Sequence, residues 1–312
     1  MDVSIVIVTR NTCALTRDSI RSVLGSTDEL TKEIIVVDNG SNDETPVTLP
    51  HEFPGLRFIR SEKNLGFARA VNMAAREASG EFLLLLNSDA RLSPDALAKA
   101  VAAMRPHTDW AVAGAQLLNP DGSRQNSIAN FPTLATELLS KSLLRRLWPA
   151  QFPGKEQEFR ESLIVETVVG AFMLIRKSAW AALGGLDERF FFFLEETDFC
   201  LQTRRRGLRV VHLPDVHVWH GQGQTAKQTG AAARIEYWRS RYAYFAKNHG
   251  HWTRMVMVTG LLARLVAGWL IAGLFLALTL GLSERGRKRA RVSTALVFWH
   301  WRGCPANAGL PR

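Results

Sequence analysis

Short, uninterrupted apolar runs separated by helical stretches are what most constrain this chain. SIVIV (4–8), EIIVVD (33–38), LRFIR (56–60), FLLLLN (82–87) and AVAGAQL (111–117) are each of strand length and rich in aliphatic residues. Between them lie helical patterns near 14–24, at GFARAVNMAAREA (66–78) and at PDALAKAVAAM (94–104). A strand that is apolar on both sides must be covered on both faces, and intervening helices are the connections that parallel strands need. The pattern predicts an α/β fold built on a parallel sheet. Ser93 before Pro94 marks a helix start, a capping residue followed by proline at the first helical position.

Residues 119–165 break this rhythm with NPDGSRQNSIANFP, a basic and apolar patch SKSLLRRLW, and a charged stretch. A long irregular segment inside a compact domain is usually a binding loop or lid. Order resumes with TVVGAFMLIR, a helical KSAWAALG, the block FFFFLEETDF (190–199) and a strand-like RVVHLPDVHVWH, followed by an aromatic, arginine-rich helix over 231–249.

The net charge of +10 suggests nucleic acid until it is located. Residues 1–230 hold 26 Lys and Arg against 27 Asp and Glu, whereas 231–312 hold 13 against 2. The excess sits entirely in the tail, beside LVAGWLIAGLFLALTLGL (265–282), eighteen residues without a charge. A basic flank on an apolar helix indicates an anionic membrane surface and no nucleic-acid partner. As a helix this run spans about 27 Å, just short of a hydrocarbon core of about 30 Å. Basic residues flank both of its ends, whereas the positive-inside rule places them on one side of a span. A helix lying in or dipping into one leaflet is therefore favoured over a clean span, with a buried core helix as the remaining alternative. The expected division is a catalytic domain over 1–230 and a membrane-associating tail over 231–312. Cys13, Cys200 and Cys304 have no metal-type spacing and read as reduced, cytosolic thiols, and no basic leader precedes the first strand.

Three acidic sites carry the candidate chemistry. Glu195, Glu196 and Asp198 follow four consecutive phenylalanines. Apolar surroundings and neighbouring negative charge both disfavour ionisation, which makes a glutamate basic enough to take a proton near neutral pH. Asp38 and Asp89 end apolar strands, where ligands of parallel α/β sheets bind. Asp38, with Asn39, Ser41 and Asp43, can accept from a pyrimidine N3–H or from ribose hydroxyls; a helix-capping turn is the alternative. Asp89, in NSD, is a hard oxygen ligand suited to Mg²⁺ or Mn²⁺ bridging phosphates, or else a turn aspartate.

Seven blocks in order, SIVIVTRN, VVDNGSND, NLGFARAVN, LLLLNSDA, NPDG, VVGAFMLIRKSAWAALGGLDERFFFFLEETDF and HVWHGQG, resemble the family 2 glycosyltransferases, in particular their rhamnosyltransferase-like branch. The resemblance covers roughly residues 3–250 and implies the GT-A fold, a Rossmann-like α/β nucleotide-diphospho-sugar transferase architecture, here with a C-terminal hydrophobic helical tail. It implies Asp38 and Asp43 at the nucleotide, with Thr9, Asn11, Asn64, Gly66, Asn72 and Asn87 also against the donor. Asp89 and His220 would hold a divalent cation on the donor diphosphate. Glu196 falls at the general-base position. Glu195, Asp198, Gly170 and Ala171 fall on the acceptor side.

The implied activity is metal-dependent, inverting transfer from a nucleotide sugar to a hydroxyl of a lipid-linked or polysaccharide-precursor glycan, at the cytoplasmic membrane face. A polyprenyl-phosphate glycosyltransferase and a catalytically silent nucleotide-sugar-binding scaffold are the alternatives. Three positions depart from the family pattern. Arg10 stands where tyrosine is usual, NSD lacks the first aspartate of a full DxD, and Glu196 replaces a frequent aspartate.

Overall fold

The computed structural model describes residues 1–149, 151–152, 159–221, 230–280 and 282–312, so the last two residues of HVWHGQG lie outside the described part. The chain divides into two compact units, Met1–Phe131 with Pro149–Gln224, and Pro132–Trp148 with Thr225–Arg312.

The first unit is a nine-stranded sheet with helices on both faces. Its strands are β1 (Val3–Thr9), β2 (Lys32–Asn39), β3 (Arg57–Ser61), β4 (Phe82–Asn87), β5 (Ala90–Leu92), β6 (Trp110–Leu118), β8 (Leu163–Ile164), β10 (Phe172–Arg176) and β11 (Arg209–His220). They run in the order β3-β2-β1-β4-β10-β6-β11-β5, with β8 on β11. A separate two-stranded ribbon joins β7 (Ile128–Ala129) to β9 (Thr167–Val168).

The strand period of two sorts the apolar runs onto opposite faces. Val3, Ile5, Ile7, Ile34, Val36, Phe82, Leu84 and Leu86 pack under α1 (Cys13–Leu24), α2 (Thr45–Glu52) and α4 (Ala96–Met104). Val6, Ile35, Val37, Leu83 and Leu85 pack under α3 (Phe67–Glu77), α7 (Lys177–Leu183) and α8 (Glu195–Arg205).

The sheet is mixed, which differs from the all-parallel expectation. TVVGAFMLIR divides at Gly170 and Ala171 into β9 and β10, and β10 runs antiparallel to both β4 and β6. It is entered from the β7–β9 ribbon and not by a helical crossover, so nothing forces it parallel. In β11 the register against β6 breaks between Leu213 and His217, across Pro214, which has no N–H to give the ladder.

The second unit is helical: α5 (Leu134–Leu138), α6 (Lys141–Leu147), α9 (Ala231–Asn248), α10 (His251–Leu278) and α11 (Glu284–Trp301). Side chains cap three of these helices, Thr133 on α5, Ser140 on α6 and Ser283 on α11. Buried Glu137 pairs with Arg241, and its carbonyl accepts from Arg264 at 2.6 Å.

The apolar run does not form a helix of its own. It continues a 28-residue helix that begins at His251 and ends at Leu278, about 42 Å long. This is the one helix among the described residues long and apolar enough to cross a membrane, with a mean hydropathy of 2.2 and only 11% of its most apolar window buried. α11 packs back along it, with Trp269 donating to Thr294 at 2.9 Å and Gly286 set against Phe275 and Leu276.

Candidate functional site

Strand register lines up the candidate residues along one sheet edge. Thr9 lies opposite Asp38, and Val8 opposite Asn87, at the carboxyl ends of β1, β2 and β4. The Asn87 N–H donates to the Ala171 carbonyl at 3.1 Å, which brings Gly170 and Ala171 to the same edge. His220 pairs with Ala90 across β11 and β5, and the Gly221 N–H donates to the Asp89 carbonyl at 2.9 Å. Residues as far apart as Asp89 and Gly221 thus meet because strand ends, parallel and antiparallel alike, converge on one edge of the sheet.

Asp38 is fully buried. Its Oδ1 accepts from the Ser41 N–H at 3.1 Å, while Oδ2 is buried with no hydrogen-bond partner. A buried carboxylate oxygen without a donor is costly, so it suits a site where a ligand supplies one. Arg10, next in the chain to Thr9, the register partner of Asp38, also has a buried Nε without a partner.

Their neighbours hold the frame. The Asn11 N–H donates to Ser41 Oγ at 2.9 Å, and Asn11 Oδ1 accepts from the Asn42 N–H at 2.7 Å. Asp43 accepts from the Cys13 and Thr45 backbone N–H groups, at 3.3 and 3.1 Å. Thr9 is buried in a hydroxyl ladder with Thr12 and Thr16, and Thr12 reaches Ser88 at 3.3 Å.

The segment before α3 is built around Asn39. Its Nδ2 donates to Asn64 Oδ1 and to the Gly66 carbonyl, and its Oδ1 accepts from the Leu65 N–H. Gly66 has φ +83°, and a Cβ there would sit 2.5 Å from the Phe191 carbonyl oxygen. That carbonyl accepts from the Phe67 N–H at 2.7 Å, clasping this loop to the phenylalanine run. Asn72 ties α3 to Leu186 and Glu188.

Asp89 and His220 face each other with 3.4 Å between Oδ1 and Nε2, each side chain about nine-tenths buried. Gln125 decides how the imidazole presents itself. Its Nε2 donates to the His220 carbonyl at 2.6 Å, which turns its Oε1 toward His220 Nδ1, 3.1 Å away. Oε1 can only accept, so Nδ1 carries a proton and Nε2 is the ring nitrogen turned toward Asp89. Gln116 braces the Gln125 carbonyl at 3.1 Å. His212 is different: buried in β11 against Phe159, it is held neutral by burial, its pKa lowered to about 4. Among the described residues no three His, Cys, Asp or Glu side chains converge as a metal cluster.

α8 begins after two residues in the left-handed region, Phe193 (φ 75°) and Leu194 (φ 68°). Neither is glycine, so this turn stores strain of about 1–3 kcal/mol each, of the kind concentrated at functional sites. Glu195 is buried with Oε2 unpartnered, whereas Glu196 keeps partial exposure. Burial raises both carboxyl pKa values, and for Glu195 the neighbouring Glu196 adds to it. Backbone amides at the helix start act the other way, but burial prevails. Gly170 lies against Glu196, where a Cβ would be 3.4 Å from its Cγ. Asp198 is buried one turn on and accepts from Gln202 at 3.4 Å.

The site therefore combines an unsatisfied carboxylate, an aspartate–imidazole pair and a glutamate of raised basicity along one edge. Gln125 and the Phe191 carbonyl carry no signal in the sequence, because each acts through a long-range contact and not through a motif; Asn39 is visible in VVDNGSND, but not its role as the brace of the Asn64–Gly66 loop.

The sequence profile of Glycosyl transferase family 2 matches residues 4–184, more than half of the chain. The N-acetylglucosaminyl-diphospho-decaprenol L-rhamnosyltransferase of Mycobacterium tuberculosis is 26% identical over 239 residues, covering 71% of this chain and 76% of the relative. The rhamnosyltransferase WbbL of Escherichia coli K12 is 25% identical over 228 residues, covering 69% and 82%. Among solved structures, the mannosyltransferase PcManGT from Pyrobaculum calidifontis, in complex with GDP-Man and Mn²⁺, superposes with a TM-score of 0.53 at 17% identity, covering 96% of this chain and 86% of that one. The chain belongs to glycosyltransferase family 2, in its rhamnosyltransferase-like branch, as an enzyme with the GT-A fold.

Proposed function

We propose that the enzyme transfers a sugar with inversion to a hydroxyl of a lipid-linked glycan. The observation that carries this reading is the alignment of Asp38, the Asp89–His220 pair and Glu196 along one sheet edge. Asp38 Oδ2, lacking a partner, accepts a donor N–H or O–H of the nucleoside. Arg10 lies against the base or its phosphates. Asn11, Asn64, Gly66 and Asn87 shape the cleft wall. Thr9, Asp43 and Asn72 hold its frame from behind, with their hydrogen-bonding groups turned to the protein.

Asp89 and His220 fit a divalent cation such as Mn²⁺ or Mg²⁺: one hard carboxylate and one imidazole lone pair, with the donor diphosphate able to complete the shell. Bound there, the cation would neutralise the charge of the leaving nucleoside diphosphate. Glu196 takes the proton of the acceptor hydroxyl as that oxygen attacks the anomeric carbon, and the bond to the diphosphate breaks on the opposite face. Burial raises the basicity of Glu196, and Glu195, buried beside it, shapes the acceptor side with Gly170, Ala171 and Asp198.

The two parts of the chain divide this work. Residues 1–230 form the catalytic domain. Residues 231–312 form the tail that associates with the cytoplasmic membrane face, through exposed α10 residues such as Leu270, Ile271 and Leu274. Pro132–Trp148 packs with this tail. The lipid-linked acceptor is supported by the diphospho-decaprenol substrate in the name of the mycobacterial relative.

Binding and hydrolysis of a panel of nucleotide sugars, with and without Mn²⁺, tests the reading. One donor should bind in a Mn²⁺-dependent manner and hydrolyse slowly; indifference to every donor by folded protein would favour a silent scaffold.

Gln125→Leu should weaken Mn²⁺ affinity, measured by calorimetry with donor bound, by roughly 10- to 100-fold, because it frees the imidazole. Unchanged affinity in the variant would mean that the clasp does not govern the metal position.

A further inference from the structure

The helical unit holds a feature that sugar transfer leaves unused. A groove of about 1060 Å³ runs among α5, α9, α10 and α11. Its cationic side chains are Arg234, Arg241, Arg264, Arg285, Lys288 and Arg289, and its one carboxylate is Glu137. That carboxylate is consumed by Arg241. Arg241 is itself largely buried over the rings of Tyr237 and Trp238, with its Nε unpartnered. Arg234, Arg285, Lys288 and Arg289 are exposed at the mouth, and among the described residues none of them pairs with a carboxylate. So many uncompensated cations in a concave site repel one another, and an anion relieves that repulsion.

The rest of the lining is apolar. Leu261, Leu265 and Leu296 line the same groove, and along α10 the apolar surface continues through exposed Leu270 and Leu274. A compact, strongly anionic head joined to a long hydrocarbon chain matches both halves. A phospholipid surface would need a flat basic face, whereas these cations converge in a cavity from three helices. Several arginines give the forked hydrogen bonds that phosphate oxygens accept.

We propose that this groove binds the diphosphate of a polyprenyl-linked acceptor, its first isoprene units lying on Leu261 and Leu265. The proposal rests on the lipid-linked acceptor argued above, to which it adds the anchoring site.

The test uses the full chain in dodecyl maltoside micelles, titrated with geranylgeranyl diphosphate and followed by tryptophan fluorescence. Wild type should bind it at least about tenfold more tightly than geranylgeraniol, inorganic pyrophosphate or micellar phosphatidylglycerol. Combined Arg264→Gln, Lys288→Gln and Arg289→Gln should weaken binding by roughly tenfold or more and leave nucleotide-sugar binding intact. Lys288→Gln alone, at an exposed position that does not endanger folding, should weaken it roughly fivefold. Equal affinity for phosphatidylglycerol, or unaltered binding by Lys288→Gln and the triple variant, would overturn the site.

A transfer assay on a prenyl-diphosphate-linked glycan separates the two claims. Transfer with an acceptor KM unmoved by the triple variant sinks the groove and leaves the enzyme reading standing. Selective diphosphate-lipid binding without transfer to any such glycan sinks the acceptor and leaves the groove standing.

Discussion

Replacing Glu196 by glutamine should lower kcat by roughly 10²- to 10⁴-fold, the contribution of a positioned general base, while the nucleotide-sugar dissociation constant stays as in wild type. Glutamine keeps the volume beside Gly170 and removes only the ability to take a proton. The pH profile adds a readout that a merely structural role would not produce. Burial lifts the carboxyls of Glu195 and Glu196 above their ordinary range, and the base works only when ionised. The acidic limb of wild-type kcat/KM should therefore lie above about 4.3, the value for a free glutamate, with activity lost as pH falls through the raised pKa.

The stability linkage of these carboxyls has the opposite slope. A raised pKa means that the folded state holds the proton more tightly, so the associated stability is present below the unfolded-state pKa and is lost as pH rises through the folded one. Activity and stability thus pull apart across the same window. A Glu196→Gln enzyme with wild-type turnover would remove this residue from the chemistry.

Gly66→Ala should cost about 2–5 kcal/mol. The backbone, at φ +83° and ψ 172° in a region essentially reserved to glycine, contributes about 1–2 kcal/mol, and overpacking adds about 1–3 kcal/mol. The clash is with the Phe191 carbonyl and ring, 2.5 and 2.6 Å from the added carbon, and a backbone atom cannot rotate away. Phe191 precedes the strained turn into α8, so the displacement should also reach Glu196 and reduce turnover. Gly122→Ala provides the control. It has a similar φ of +81°, but no atom lies within 4 Å of its Cβ position, so only the backbone cost of about 1–2 kcal/mol applies. Thermal unfolding of the two variants compares them directly. Equal losses would show that the contact with Phe191 carries no weight.

Much of the site could be read in advance because its chemistry is written locally. Asp38 and Asp89 announce themselves as acids ending apolar strands, and strand ends in an α/β sheet lie together whatever the intervening chain does. Glu196 stands out by following four phenylalanines, although the structure shows that burial at the start of α8 sets its environment. The direction of β10 could not be read. A run such as FMLIR is equally apolar whichever way it points, and its orientation follows from the ribbon that delivers it. The length of α10 was also hidden, because its first half, from His251, is mixed in character and packs within the helical unit.

Composition and order along the chain determined the α/β class, the acidic residues at the sheet edge, the basic apolar tail and the family, since hydropathy and side-chain chemistry belong to each segment by itself. Only the tertiary structure decided the mixed sheet, the tautomer of His220, the clasp of Gly66 on Phe191 and the convergence of Arg234, Arg264 and Arg289 in one groove. Each of these depends on contacts between residues distant in the chain, as Gln125 and His220 are at 95 positions apart, and such contacts exist only once the sheet and the helices have packed.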